Sequence, residues 1–314
     1  MSGNDASGAS ASGAQAGSAD GGATSAAVAA AFLAACRAEL GALKPGNVHI
    51  HAAGHGMEVA QFEAAAVAAA PHVAARGRPV GERILGAVAA SLAAAGCNTN
   101  LGIVLLAAPL ALAAERALDA RPSRTLRDSL GGVLGSLTPG DATAAFAAIA
   151  AANPGGLGSV AEGDVRAPSH LSLHDAMALA AGRDRIALAY VTGFGDIFDF
   201  TLPALARARE AAPRPDLAIT ALHMEVLARY PDSHIARKFG MDAAVSVQGE
   251  AAHHLDLWLQ QKHEVGLATL LAFDTGLKAR GINPGTTADL VVATLFAEAL
   301  QGLLSASPRQ SRLV

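Results

Sequence analysis

Residues able to handle charge are scarce in this chain and gather in four places between alanine-rich runs. The first is Glu39-Leu40-Gly41-Ala42-Leu43-Lys44-Pro45-Gly46-Asn47-Val48. Glu39 falls near the last turn of a helix, where the dipole disfavours an anion; a bound cation such as Mg2+ compensates this, and so does solvent exposure. Lys44 either caps that helix or holds a phosphate as a point charge. The second place is His49-x-His51 with His55 beyond it. Two histidines two apart in an extended segment share a side, which suits a metal or plain hydrogen bonding, and no Asp, Glu or Cys stands at a diagnostic ligand spacing. His55, between Gly54 and Gly56, is a candidate acid or base, because imidazole titrates near about 6.5.

The third place is Asn98-Thr99-Asn100-Leu101-Gly102, an amide-rich turn before a long apolar run. Asn and Thr are preferred helix N-caps, and the amides of a helix start also bind phosphate oxygens. The fourth comprises Asp232-Ser233-His234-Ile235-Ala236-Arg237-Lys238 and Asn283-Pro284-Gly285-Thr286-Thr287-Ala288-Asp289. Asp232 can cap a helix, and Thr286 to Asp289 has capping-box spacing. Each segment also sets a carboxylate beside a helix start, and a triphosphate with magnesium requires such carboxylates together with cations like Arg237 or Lys238.

These loops need helices to hold them. Alanine-rich patterning predicts helices over 25–43, 58–70, 81–95, 101–118, 125–137 and 141–152. Pro45-Gly46 ends the first and Pro71 follows the second. Residues 153–172, rich in Gly and Pro, read as a long loop. Further helices are expected over 173–190, 202–212, 217–230, 233–240, 249–278 and 287–304. Ala243–Val247 is the one short strand candidate. The expectation is an all-α fold: a single multi-helix domain over 25–306, with a disordered tail over 1–24 and a flexible C-terminus over 307–314.

Composition narrows the functions. The chain of 314 residues is 52% hydrophobic but only 4% aromatic and 16% charged, so its core is built of small side chains. Lys plus Arg (23) against Asp plus Glu (27) leaves −4, which gives no basic field for nucleic acid. Cys36 and Cys97 are too few for a disulfide framework or a four-cysteine zinc site, and fit the cytoplasm. The apolar runs 85–95 and 101–114 are shorter than a bilayer span, so no membrane is expected. Neither a dinucleotide-type glycine turn nor a GxxxxGK[ST] loop is present. Exposed apolar stripes on helices make a homodimer a mild expectation.

Glu39…Lys44-Pro45-Gly46-Asn47-Val48, Gly54-His55-Gly56-Met57 followed by Phe62, Asn98-Thr99-Asn100-x-Gly102 and Asn283-Pro284-Gly285-Thr286-Thr287-Ala288-Asp289-Leu290 together resemble the triphosphoribosyl-dephospho-coenzyme A synthase family, over about 27–297. Each element alone is common; four in this order are specific. The resemblance implies an all-α, magnesium-dependent transferase in which the 2′-hydroxyl of dephospho-coenzyme A attacks C1 of the ATP ribose and adenine leaves. It implies Glu39, Asp232 and Asp289 as magnesium ligands or general base, with His55 as a further acid or base. Lys44, Arg237 and Lys238 would meet phosphates. Pro45, Gly46, Asn47, Asn98, Thr99, Asn100, Asn283, Gly285 and Thr286 would line the nucleotide site.

This chain departs from the family pattern in its amide loop, commonly Asn-Thr-His-Lys-Gly, by carrying Asn100 and Leu101. It has Pro231-Asp232-Ser233-His234 where Gly-Asp-Thr-Asn is usual, and Gly56 where an acid often precedes the methionine. The departures resemble a divergent branch associated with one-carbon carrier cofactors of methylotrophs. They leave open a different nucleotide-dependent transfer in cofactor assembly, or a ligand-binding protein without catalysis.

Overall fold

Alanine sets the architecture, because it carries the highest helix propensity and lets helix axes approach closely. The computed structural model describes residues 12–50, 52, 54, 56–153, 169–260 and 263–306. Fourteen α-helices form among them and no strand, as the sequence leads one to expect. The N-terminal half holds α1 (Ser12–Leu40), α2 (Val59–Val73), α3 (Val80–Ala95), α4 (Leu101–Asp119), α5 (Leu126–Leu134) and α6 (Pro139–Ala152). After residue 168 come α7 (Leu173–Ala180), α8 (Arg185–Val191), a π-helical turn (Asp196–Thr201), α9 (Leu202–Ala211) and α10 (Pro215–Arg229). The chain ends with α11 (Ser233–Phe239), α12 (Met241–Gln260), α13 (His263–Ala279) and α14 (Gly285–Ala306).

Several boundaries differ from the sequence reading for physical reasons. α1 begins at Ser12, N-terminal of the expected start. Pro71 does not stop α2 but sits in its last turn. The expected 173–190 helix is broken, and Asp184 restarts it by accepting the Ile186 and Ala187 amides at 2.9 and 3.1 Å. The expected 249–278 helix is two helices, and α12 already begins at Met241, so Ala243–Val247 is helical rather than a strand. Ala244 and Val247, three apart, both reach the core, which a strand would send to opposite faces.

α4 and α14 form the centre. Each is long and apolar enough to cross a membrane by length and composition, contrary to the expectation from run length; within the fold, 78% and 67% of their most apolar windows are buried. Phe32 of α1 meets Phe296 of α14 edge-on at 5.7 Å. Pro109 lies inside α4 and cannot donate to Leu105, so that carbonyl would be an orphan. The Tyr190 hydroxyl of α8 donates to it at 2.7 Å. Gly81 of α3 lets that helix lie on α6, where a Cβ would come within 2.5 Å of the Asp141 Cα. A second, smaller cluster around Met224, Leu227, Ile235, Trp258, Phe273 and Leu277 packs α10 to α13 together.

Candidate functional site

Between the two clusters lies a cavity of about 790 Å³, reached by the end of α1, the N-termini of α4 and α14, and parts of α6, α7, α8 and α11. Nine of the residues given a site role in the sequence line it: Glu39, Asn47, Asn98, Thr99, Arg237, Asn283, Gly285, Thr286 and Asp289. Residues distant in sequence therefore share one wall.

Glu39 and Asp289 each bring a carboxylate to that wall. Glu39 is buried and paired with Lys44, whose ammonium also donates to Asn47 Oδ1 at 3.0 Å. Burial pushes the Glu39 carboxyl up and the Lys44 ammonium down, and their mutual attraction pulls each back. The Asn47 amide then donates to Asn283 Oδ1 at 2.8 Å, joining the loop after α1 to the start of α14. The Asp289 side chain forms no hydrogen bond among the described residues. Its carboxylate occupies the space left by the missing side chain of Gly102, where a Cβ would stand 2.0 Å from Oδ2. Burial raises the Asp289 carboxyl well above the usual range, reinforced by Asp232, Glu39 and Asp184, with Arg237 opposing.

The helix starts behave differently from one another. Asn100, at the N-cap position of α4, makes no side-chain cap, and its amide donates to Ser91 Oγ at 3.0 Å. Asn98 Oδ1 accepts the Leu101 amide at 3.2 Å, and the Thr99 hydroxyl finds no hydrogen-bond partner among the described residues. Such a helix start offers donors to an anion. At α14 the expected capping box does not form. Asp232 takes its place: Oδ2 accepts from the Thr287 amide and hydroxyl, both at 2.8 Å, while Oδ1 caps α11 through the His234 and Ile235 amides at 2.8 and 3.1 Å.

Several expected site residues therefore stand behind the wall. Asp232 is buried with both oxygens engaged, so its direct contact is with two helix ends and not the cavity. Lys44 is fully buried against Glu39 and does not reach a phosphate from there. Pro45 and Gly46 form the turn beneath; Gly46 has φ +83 and its amide donates to Asp274 Oδ1 at 2.8 Å. Asn100 is buried, and Lys238 is exposed with its ammonium 5.9 Å from the Phe239 ring. His51 and His55 lie outside the described residues. His49 is buried, 3.4 Å from Asp274 Oδ2, which also accepts from Lys278 at 3.0 Å. Burial acts to raise Asp274, but His49, the Gly46 amide and Lys278 outweigh it and hold that carboxyl low.

Arg183 and Asp184 belong to a polar run, 183–185, that reads as a solvated helix face or as a contact with the acceptor; both line the cavity, and Asp184 pairs with Arg237 at 3.3 Å. Phe146, Ile149 and Met177 also line it, with nothing in their periodicity to separate cavity from core. Asp274 and Lys278 carry a helical i, i+4 spacing that is indistinguishable from a surface pair. Among the described residues no three His, Cys, Asp or Glu side chains are grouped to hold a metal ion. The excess of carboxylates around Asp289 fits a cation carried in by a phosphate ligand better than a protein-only cage.

The family model for ATP:dephospho-CoA triphosphoribosyl transferase matches residues 25–307. A Pectobacterium carotovorum protein named probable 2-(5''-triphosphoribosyl)-3'-dephosphocoenzyme-A synthase is 30% identical over 103 residues, 33% of this chain and 32% of that relative. The Pectobacterium atrosepticum 2-(5''-triphosphoribosyl)-3'-dephosphocoenzyme-A synthase is 29% identical over 132 residues, 42% of this chain and 40% of the relative. The matches thus span about a third to two fifths of those relatives. A solved Archaeoglobus fulgidus structure, assigned as a triphosphoribosyl-dephospho-CoA synthase, superposes with TM-score 0.59 at 22% identity, covering 76% of this chain and 98% of that one. At that identity the likeness is one of fold.

Proposed function

The chain belongs to the ATP:dephospho-CoA triphosphoribosyl transferase family, and from that premise we propose that it transfers the triphosphoribosyl group of ATP to the 2′-hydroxyl of 3′-dephospho-CoA, releasing adenine. The observation that carries this reading is the convergence of Glu39 and Asp289 with the N-termini of α4 and α14 in one cavity. Two substrates must be held there. Phosphate oxygens find donors in the α4 start, Thr99, Thr286 and Arg237. The reaction forms a bond from the acceptor oxygen to ribose C1 and breaks the bond from C1 to the adenine nitrogen. The hydroxyl proton passes to a carboxylate, and the departing base takes up a proton. Asp289, raised in pKa and facing the cavity, suits the proton acceptor; Glu39, held by Lys44, places negative charge where the ribose becomes oxocarbenium-like.

Magnesium, when bound with the triphosphate, neutralises its charge, and Asp289 and Glu39 are the groups to hold it. The test is direct. ATP, Mg2+ and dephospho-CoA incubated with the protein are expected to yield free adenine, and Glu39→Gln or Asp289→Asn to lower turnover by about 10²–10⁴. No adenine with active-family controls working would remove the reading. A second reading, transfer to another acceptor in assembly of a one-carbon carrier, is favoured by Leu101, an uncharged residue on the wall at the α4 start. Adenine release with such an acceptor and not with dephospho-CoA would select it.

A further inference from the structure

The cavity has two unlike ends. Its polar end gathers the carboxylates and helix starts described above. Its other end is walled by Leu105 of α4, Phe146, Ile149 and Ala152 of α6, and Met177 and Ala180 of α7. None of those side chains carries a charge or a hydrogen-bonding group. Phe146 is buried and lines this end of the cavity. Leu179, 47% exposed, and Asn153 mark the open rim of this end.

The chemistry of that wall selects its occupant. A phosphate deep in that end would meet only carbon; the nearest cation, Arg183, stands at the rim with its guanidinium donating to the Leu179 carbonyl at 3.4 Å. A purine would set the polar edges of a rigid ring against the same carbon, at about 1–3 kcal/mol for each buried group left unsatisfied. A flexible uncharged chain can lay its methylenes and methyls on Phe146, Ile149 and Met177 and turn its few polar atoms to the rim, gaining on the order of 25 cal/mol per Å² of apolar area covered. Met177 adapts readily to such a chain.

We propose that the end of the cavity between α4, α6 and α7 is a subsite for an uncharged, flexible chain carried by the acceptor, which directs the acceptor's hydroxyl toward Glu39 and Asp289. The identity of the acceptor rests on the transferase reading; the subsite itself is tested by binding. Ala180 is the residue to change, since it is only half-buried on the wall and a larger side chain there fills the subsite without opening the core.

Calorimetry with ADP and with dephospho-CoA, the same head with and without a chain, provides the measurement. Wild-type protein is expected to bind dephospho-CoA at least about tenfold more tightly than ADP, as burial of a few methylenes implies. Ala180→Trp should erase that difference, Ala180→Leu should reduce it, and both should leave affinity for Mg2+·ATP unchanged, with unfolding midpoints recorded to show that each variant is folded. Equal or absent binding of the two probes by wild type overturns the proposal. So does a loss confined to ATP, which would place the base at this end. Should the binding pattern hold without any adenine release, the subsite stands and the transferase reading falls.

Discussion

Gly102 and Asp289 form the pair on which the site turns. A carboxylate takes the place of a side chain at the start of α4, so Gly102→Ala forces Asp289 to move or α4 to shift. Asp289 also carries a linkage signature. Its folded-state pKa is raised by burial and by neighbouring carboxylates, so between its ordinary and raised values the folded state holds more protons than the unfolded one. The slope of stability against pH is then negative: the contribution is full at low pH and is lost as pH rises through the raised value. Asp289→Asn removes this term. Thermal unfolding in EDTA from pH 5 to 8 should show a variant more stable than wild type at the upper end, the gap closing as pH falls. A gap that widens toward low pH would contradict the assignment. The residue types of this pair were readable in the sequence, but their contact was not, since 187 positions separate them and Thr286–Asp289 spacing points to a cap that Asp232 makes instead.

At the scale of elements, the proline in α4 explains a tyrosine in α8. Pro109 leaves the Leu105 carbonyl without its intrahelical partner, and Tyr190 supplies the missing donor from a fully buried position. Burial pushes the phenol up, so it remains a donor at any working pH. Tyr190→Phe keeps the ring and its contact with Phe194 but strands the carbonyl, which should cost about 1–3 kcal/mol. Urea unfolding measures this; a change below a few tenths of a kcal/mol would mean that water or a bifurcated helix bond replaces the hydroxyl. Helix positions from α2 to α6 were legible because their alanine periodicity is long and punctuated by Gly and Pro. The break at Asp184 was not, because capping by a single aspartate leaves the apolar pattern nearly intact.

The whole molecule joins a large alanine-lined cluster to a smaller one containing Trp258, and the cavity takes wall residues from both: Leu101, Ile103 and Leu105 from the first, Ala236 from the second. The junction itself is polar, through Asp232 across α11 and α14 and through Glu39, Lys44, Asn47 and Asn283 across α1 and α14. Only 16% of residues are charged. That scarcity made the loops legible as a site, while the apolar half of the same cavity stayed hidden among core residues of identical type. A ligand seated at the junction binds only when both clusters are in place, so it should stabilise the fold by mass action, about 2.7 kcal/mol at a hundredfold excess over its dissociation constant. Thermal shift with Mg2+·ATP is expected to raise the unfolding midpoint, with Mg2+ alone or ATP in EDTA giving a smaller rise, because the acid-rich surroundings of Asp289 oppose an unneutralised triphosphate. Equal stabilisation by ATP in EDTA would mean that the carboxylates face the ribose and not the phosphates, which would remove Glu39 and Asp289 from magnesium binding and leave them their roles at the ribose.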